Sequence, residues 1–378
     1  MARNRVTYQC EAAFIGPAII SGLVPVEGPE NFERVQALSL GFEEGRQAIS
    51  QIGMRGTVSD PMLDTPIASV QISYLGAGLR NEKNVGLNVN FSSGFSQPSY
   101  YHSSQEVSVV SGFANEDNRS LDRRNLYIGI ASEGIDVENR DSLTGIVGFS
   151  NCHLSQYSSS IQQGGLLQNS MSFIATDASF FVLEQDVGAV DMPIINFKHV
   201  DNLPTPSVSL PYYQSTGITA LRGAYADIEL SASSLSNIGI DTFSMKPQSY
   251  SLQINLEREP LQGIGYRYPL DQALKFPVKG VVSISALLSE RNAGRVGELC
   301  KNDPAINLIA NFNAPPAGDD CAGKKRLAIQ HKMVNGYLVT HEESMSIGEN
   351  KQVNMTFAVD IDPDDLSKGI FMSGNLNS

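Results

Sequence analysis

The chain has 378 residues, of which 41% are hydrophobic, and this is enough to form the cores of two domains of ordinary size. Its formal net charge of −13 argues against a protein that binds nucleic acid regardless of sequence, because such binding depends mainly on Lys and Arg. No stretch approaches the ~20 uninterrupted apolar residues that a membrane helix needs.

The N-terminal segment predicts no targeting signal. Residues 1–5 are basic and residues 12–24 are mostly apolar, but Glu11 separates the two parts and Pro17 interrupts the apolar run. A secretory signal would need a continuous apolar region and a cleavage site with small residues. We therefore expect a protein made in the cytoplasm without a signal peptide.

A block in the first part of the chain, residues 36–75, recurs without a gap at residues 248–287, a shift of 212 positions. In the later copy, apolar and polar residues alternate over residues 249–257 and again after Pro277. Such alternation is typical of half-buried antiparallel strands, and residues 263–272 between them are rich in turn formers. Each copy is predicted to form a long hairpin with an extended tip.

A second block repeats at a different shift, 184, so that Asn151 corresponds to Asn335 and Phe173 to Phe357. Strands are predicted at 152–160 and 168–176 in the first copy. In the later copy they are predicted at 337–347 and 352–359. Because both blocks occur in the same order in each half, the chain is interpreted as a duplicated domain.

The segments between the blocks are less regular. Residues 77–140 are rich in Gly, Ser, Asn and acidic residues, and residues 289–325 are predicted to hold a short helix near 293–301. Three prolines within 203–211 suit an extended linker. The predicted domains are therefore 1–204 and 205–378, here called the first half and the second half.

One face of the predicted strands consists mainly of small uncharged polar residues, with almost no Lys or Arg. An ordinary solvated face of a sheet would explain any one strand, but the recurrence in four hairpins favours a functional surface. The residues predicted for this face are Ser39, Ser69, Gln71, Ser73, Gln168, Ser170, Ser172, Ser249, Ser251, Gln253, Asn255, Ser283, Ser285, Gln352, Asn354 and Thr356. The residues predicted for the core are Leu40, Val70, Ile72, Met171, Phe173, Leu252, Ile254, Leu256, Val282, Ile284, Met355 and Phe357.

Two partial motifs for ligands are present and incomplete. The run from Gly76 begins like a dinucleotide-binding turn, but Asn81 stands where the third glycine belongs and no helical pattern follows. The run from Asp360 begins like a calcium loop, but Asp365 replaces the required glycine and Phe371 the final glutamate. No cofactor or metal is expected.

Cysteine and histidine residues show no spacing typical of a metal site or a catalytic set. Cys300 and Cys321 flank a loop rich in Pro, Gly and Asp, so a disulfide there and two free thiols both remain open. Neither repeated block preserves paired carboxylates or a nucleophile with its base. The sequence therefore favours a protein that is not an enzyme.

Two arginine pairs recur in both halves, Arg46 with Arg258 and Arg55 with Arg267. One interpretation is a structural ion pair or a contact with backbone carbonyls. The other is a contact between rings or between neighbouring subunits. The sequence does not decide between them.

The hairpin motifs resemble a known family. The run at 249–269 with 281–286 resembles the long hairpin of tail tube proteins of tailed bacteriophages, and 148–157 with 169–173 is similar to a later hairpin of the same proteins. The likeness covers less than half of the chain. It implies β-sandwich domains whose hairpins join those of neighbouring subunits in an intermolecular β-barrel, with three two-domain chains forming a pseudo-sixfold ring.

This resemblance also implies partners and a location. Rings would stack into a tube in the virion tail, assembled in the host cytoplasm, with a tape measure protein and then viral DNA in the lumen, and with sheath, terminator or baseplate proteins as further partners. Close alternatives are another ring-forming tail component, such as a baseplate hub, distal tail or tail terminator protein. A tandem β-sandwich adhesin or carbohydrate-binding protein is a more distant one, because the chain has no Trp.

Overall fold

A computed structural model describes residues 11–17, 30–43, 45–53, 55–60, 67–91, 107–114, 122–131, 143–182, 191–193, 207–209, 220–231, 245–264, 269, 271–288, 305–314, 326–344 and 352–374. The predicted mainly β fold is confirmed, and the described helices are short: α1 (Arg80–Asn84), α2 (Ser111–Ala114) and one 3-10 turn (Gly223–Tyr225).

The strands, in chain order, are β1 (Glu11–Pro17), β2 (Glu30–Asn31), β3 (Val35–Glu43), β4 (Ile49–Ser50), β5 (Thr57–Ser59), β6 (Ile67–Leu75), β7 (Asn90–Phe91), β8 (Arg124–Ala131), β9 (Leu143–Gln162), β10 (Gln168–Ala175), β11 (Asp177–Val182), β12 (Asp191–Pro193), β13 (Ser207–Ser209), β14 (Ala226–Ser231), β15 (Met245–Asn255), β16 (Arg258–Leu261), β17 (Asp271–Leu274), β18 (Val278–Leu288), β19 (Ile306–Ala314), β20 (Arg326–Ser344), β21 (Gln352–Ile361) and β22 (Gly369–Gly374).

Eight antiparallel strands form the central layer, which we call the hairpin sheet. Their order is β3-β6-β10-β9-β15-β18-β21-β20. The first four belong to the first half and the last four to the second half, so the two halves join directly through β9 and β15. Small ribbons, β4 with β5 and β16 with β17, extend the connections that lead from β3 to β6 and from β15 to β18.

Two outer sheets form the second layer. In the first half β1, β8 and β11 join the N-terminal part of β9, and in the second half β14, β19 and β22 join β20. The short strand β7 of the first half pairs in parallel with β22 of the second half. Buried side chains of the outer sheets, such as Ile128 and Ala310, fall in one hydrophobic cluster with those of the hairpin sheet, such as Val70 and Ile284.

The long strands β9 and β20 each pass from an outer sheet into the hairpin sheet, and each bends at an asparagine. Asn151 and Asn335 have positive φ angles of 48° and 55°, a region that asparagine tolerates better than most residues. The Asn125 side chain accepts a hydrogen bond from the backbone N–H of Asn151 at 3.1 Å, and Asn307 does the same for Asn335 at 3.0 Å. The bend is therefore built in the same way twice, 184 positions apart.

The two shifts found in the sequence reappear in the strand pairing. Ser39 lies opposite Gln71, and 212 positions later Ser251 lies opposite Ser283. Met171 lies opposite Tyr157, and 184 positions later Met355 lies opposite His341. The irregularity that leaves Ser155 unpaired in the β9–β10 ladder leaves Val339 unpaired in the β20–β21 ladder. The hairpins of the two halves thus pair in the same register at these positions.

Most residues predicted for the core are fully buried, and Leu40 is the exception. Leu40 lies on β3, at the edge of the hairpin sheet, where it is 45% exposed. Leu40 does lie on the apolar side of β3, as the alternation predicts. Within the described residues, however, no further strand lies alongside β3 to bury it. The prediction for Leu40 is therefore wrong for the single chain.

Several expectations fall outside the described residues. These are the linker boundary near 204, the short helix near 293–301, the Cys300–Cys321 question and the position of Arg267. The strand predicted over 337–347 is longer at its start, because β20 begins at Arg326 in the outer sheet.

Candidate functional site: a polar sheet face and its two open edges

All sixteen residues predicted for the polar face lie on the same face of the hairpin sheet, opposite the core. Cross-strand pairing aligns them in rows: Gln71, Ser172, Gln156 and Asn255 are successive neighbours across the junction of the two halves. Each of the sixteen is half-buried or exposed. The result is a continuous hydrophilic surface shared by both halves.

Hydrogen bonds link neighbouring side chains on this face. The Gln71 amide donates to the Ser170 hydroxyl at 3.3 Å, and the Gln352 amide donates to the Ser285 hydroxyl. The Ser283 and Thr356 hydroxyls lie 3.3 Å apart. These groups carry no charge and pair with one another.

The face is less uniform than the sequence predicted. It also carries Lys279, which lies opposite Asp360, together with half-buried Val281 and Leu287. Exposed Lys246 of β15 lies opposite Leu287 on the same face, and Lys279 lies near the start of β18. There Asp360 lies beside Lys279 and supplies an opposite charge.

Strand β9 contributes polar residues that the sequence reasoning did not assign to a face. Gln156, Ser158, Ser160 and Gln162 alternate at the right period, and each lies opposite a polar-face residue of β15. The irregularity at Ser155 breaks the phase of alternation in the middle of the strand. The alternation of polar residues is visible from Gln156 onward, but the residues before Ser155 do not predict which face it occupies.

Ion pairs between charged side chains link the two halves at their junction. The Arg258 guanidinium donates two hydrogen bonds to Asp122, at 2.7 Å and 2.6 Å, and its Nε donates to the Leu154 carbonyl at 3.2 Å. The Arg258 side chain is fully buried. Arg123 pairs with Asp271 across the same junction at 2.8 Å. Arg258 therefore joins the halves of one chain, in agreement with the first interpretation of its pair and not with a contact between subunits.

His153 completes this cluster on the side of β9. Its Nδ1 lies 3.6 Å from Asp122, and burial lowers the pKa of the ring, although the neighbouring carboxylate opposes this. Burial alone would raise the pKa of Asp122, but His153 and the Arg258 guanidinium hold it below its usual value. Asp122 is thus an anion paired with Arg258 at neutral pH.

The hairpin sheet ends in two open edges. Within the described residues, β3 pairs only with β6, and the stretch of β20 after Tyr337 pairs only with β21. Apolar side chains are exposed at the β3 edge, where Leu40 is 45% and Phe42 is 61% exposed. Their counterparts in the second half, Leu252 and Ile254, are 1% and 0% exposed because β9 covers them.

The first-half arginines lie at the same end of the sheet as this edge. Arg46, the counterpart of buried Arg258, is exposed and follows β3, and Arg55 is exposed in the β4–β5 ribbon. Arg267 lies in a part of the chain that the structure leaves undescribed.

The first half also buries a carboxyl group that the sequence did not single out. Glu82 of α1 is fully buried and accepts hydrogen bonds from the hydroxyls of Tyr74 and Tyr157 and from the Asn169 amide, at 2.6, 3.3 and 2.9 Å. Burial raises the pKa of Glu82 to about 7, although these hydrogen bonds act in the opposite direction. Strands β6, β9 and β10 are tied to α1 through this single side chain.

No other arrangement in the described residues suggests chemistry. They contain no group of three or more metal-ligating side chains. None of the described helices is long and apolar enough to cross a membrane.

Comparisons with known proteins leave the family open. No protein-family model matches the chain, and no curated protein matches it. A crystal structure of a protein described as Hcp aligns with 39% of this chain and 98% of that chain, at 11% sequence identity and a TM-score of 0.23. At that score the likeness supports no statement about the assembly of this chain.

Proposed function

We propose that the protein is a structural subunit that forms rings, which stack into a tube whose lumen conducts DNA. One observation carries the proposal: two matching halves contribute four strands each to one antiparallel sheet with a solvent-facing hydrophilic side. A sheet with two open edges is a template for pairing with further strands, and closure into a barrel removes such edges.

The dimensions of a closed ring fit duplex DNA. Three copies of an eight-stranded sheet would give 24 strands. With strands ~4.8 Å apart and tilted by ~40°, the backbone circle is roughly 50 Å across, and inward side chains leave roughly 40 Å. Duplex DNA, on the order of 20 Å wide, would pass through this opening.

The mechanism of the lumen is passive. Affinity for DNA comes mainly from Lys and Arg that neutralise phosphates, and the polar face has few of them. Hydroxyl and amide groups that already bond to one another keep the wall hydrated without holding the polymer. The role assigned here is structural and involves no catalysis.

The finer assignment is a tail tube protein of a tailed bacteriophage, in the virion tail. It is supported by the resemblance of both hairpin blocks to that family and by the paired four-strand units. In that setting a tape measure protein occupies the lumen before DNA, and sheath, terminator or baseplate proteins bind the tube. A ring that caps or initiates the tube is the nearest alternative.

Electron microscopy of the purified protein, combined with light scattering, tests the proposal. We expect rings with a central opening of roughly 40 Å and a mass of three chains, alone or stacked into tubes. Single rings that never stack would favour a cap or hub. A protein that stays monomeric at high concentration, in both low and high salt, would refute the proposal.

A further inference from the structure

The pairing of β9 with β15 inside the chain indicates how the two open edges of neighbouring chains could pair. The shift of 212 relates β3 to β15, and the shift of 184 relates the end of β20 to the end of β9. The open edges are therefore the counterparts of two strands that already pair within the chain. Each edge strand keeps the cross-strand register of its counterpart on its paired side.

The side chains at the β3 edge agree with this correspondence. Leu40 and Phe42 are exposed, whereas Leu252 and Ile254 occupy the equivalent positions of β15 and are buried. A strand alongside β3 would remove this apolar surface from water, which favours pairing at this edge. At the other edge Val339 is 53% exposed.

We infer that the β20 edge of one copy pairs with β3 of a second copy in the register of the internal junction. Internally Ser251 lies opposite Ser160, and Ile254 lies opposite Tyr157. Subtracting 212 from each β15 residue number gives its counterpart in β3, and adding 184 to each β9 residue number gives its counterpart in β20. The contacts between copies are then Ser39 opposite Ser344, Leu40 opposite Glu343, Gly41 opposite Glu342, Phe42 opposite His341 and Glu43 opposite Thr340. This inference rests on the proposed ring and specifies its seam.

The same transfer places Arg46 at the seam. Internally the Nε of Arg258 donates to the Leu154 carbonyl. The counterpart of that carbonyl is the one of Leu338, so Arg46 donates to Leu338 of the second copy. Arg46 is thus an inter-subunit residue, whereas its duplicate acts within the chain.

The register can be tested by disulfide crosslinking. At the internal junction Gln163 donates to Gln248 and Leu256 donates to Ser155, so Ser251 and Ser160 form a non-hydrogen-bonded pair between those contacts. Such pairs have Cα atoms ~4.5 Å apart, within the range of a disulfide. The double variant Ser39→Cys with Ser344→Cys should therefore crosslink neighbouring copies on oxidation.

Two controls accompany this variant. Ser39→Cys with Glu342→Cys moves one cysteine by two positions on the same face, where Cα atoms lie ~7–8 Å apart, so we expect at least tenfold less crosslinked product. Ser160→Cys with Ser251→Cys should form a bond within one chain, which shows that this pair geometry permits oxidation. The unmodified chain measures any contribution of its own cysteines.

The outcomes separate the register from the ring. Crosslinked species limited to the number of chains in one ring would support both. Rings seen by microscopy together with preferential crosslinking of the offset pair, or of neither pair, would refute the register and leave the proposed function standing. Absence of both oligomers and crosslinks, with a normal internal bond in the third variant, would refute both.

Arg46→Ala gives a second readout. We expect it to weaken ring formation at least tenfold, as measured by sedimentation over a concentration series, because each seam loses a hydrogen bond from a charged donor. Lys275→Ala, which removes an exposed cation beside β17 and away from both open edges, is the matched control. Equal assembly of Arg46→Ala and the unmodified protein would remove Arg46 from the seam.

Discussion

Single residues set two local features of this protein, the bend of the long strands and the buried carboxyl group. Asn335 adopts a left-handed backbone conformation that a β-branched residue would enter only with strain. Its side chain also donates to the Ser367 carbonyl at 2.7 Å. Glu82 is held inside the first half by two hydroxyls and an amide. Both features can be tested by substitution.

The bend predicts a difference between two substitutions of Asn335. Asn335→Val should lower the free energy of unfolding by about 2 kcal/mol, because the strained backbone must be kept without a suitable side chain. Asn335→Gly should cost less, since glycine accepts a positive φ. Urea denaturation of both variants measures this, and an equal loss in the two would show that the lost hydrogen bond to Ser367, and not the bend, is responsible.

Glu82 predicts a pH dependence of stability. Its pKa is about 7 in the folded chain against 4.5 for an ordinary glutamate, so the folded state favours the protonated form. The contribution of Glu82 to the free energy of unfolding is largest below pH ~4.5 and falls by about 3 kcal/mol as the pH rises through 7. In Glu82→Gln this fall should disappear from the free energy of unfolding measured between about pH 5 and pH 8. Glu259→Gln, at an exposed position, should retain it, and a fall of equal size in Glu82→Gln would contradict the assignment.

At the scale of strands, the two edges differ from the internal junction in charge. Glu342 and Glu343 stand where the internal junction has Ser158 and Ser159, and Glu43 stands where it has Asn255. Charged residues at an open edge discourage indiscriminate pairing. In the inferred register, Glu342 and Glu43 of adjoining copies are diagonal neighbours, ~7–8 Å apart.

This charge predicts that salt strengthens assembly. Two like charges at that distance in water repel by about 0.5 kcal/mol, so Glu342→Gln should lower the dissociation constant of each seam about twofold at low salt. The gain should vanish at high salt, where the repulsion is screened. Asp360→Asn removes a charge from the same face away from the edge and serves as the control in light scattering. Equal effects of the two variants would place Glu342 outside the seam.

Features that depend on a local residue pattern could be predicted from the sequence, whereas features that depend on contacts between distant segments could not. Alternation and the two shifts predicted β15, β18 and β21 well, because a strand with one buried face carries its own pattern. Leu40 and Leu252 share that pattern, yet one is exposed and the other buried, because the pattern does not record which strand lies alongside. The role of Arg258 likewise depends on Asp122, 136 residues earlier in the chain. The outer sheets join distant segments and left no local signal.

For the molecule as a whole, the polar face predicts how DNA would respond to added charge. Gln71→Lys with Gln253→Lys places two cations on the proposed lumen wall in each chain, where they would bind phosphates and slow DNA delivery from virions that carry the variant. Gln51→Lys with Gln262→Lys adds the same charge at exposed positions off this face. Normal delivery by the first variant, with tubes intact by microscopy, would show that the face does not line the channel.

Both halves belong to one chain and pair with each other through β9 and β15, and this restricts which closed assemblies can exist. Because no four-strand unit can enter alone, every complete circle must contain an even number of units: three molecules give six, four molecules give eight, and five or seven can never occur. Errors in subunit number therefore change the circumference by eight strands at a time. In the proposed tube, a miscounted circle would differ in curvature from its neighbours and could not stack on them, which would keep the diameter of the channel constant.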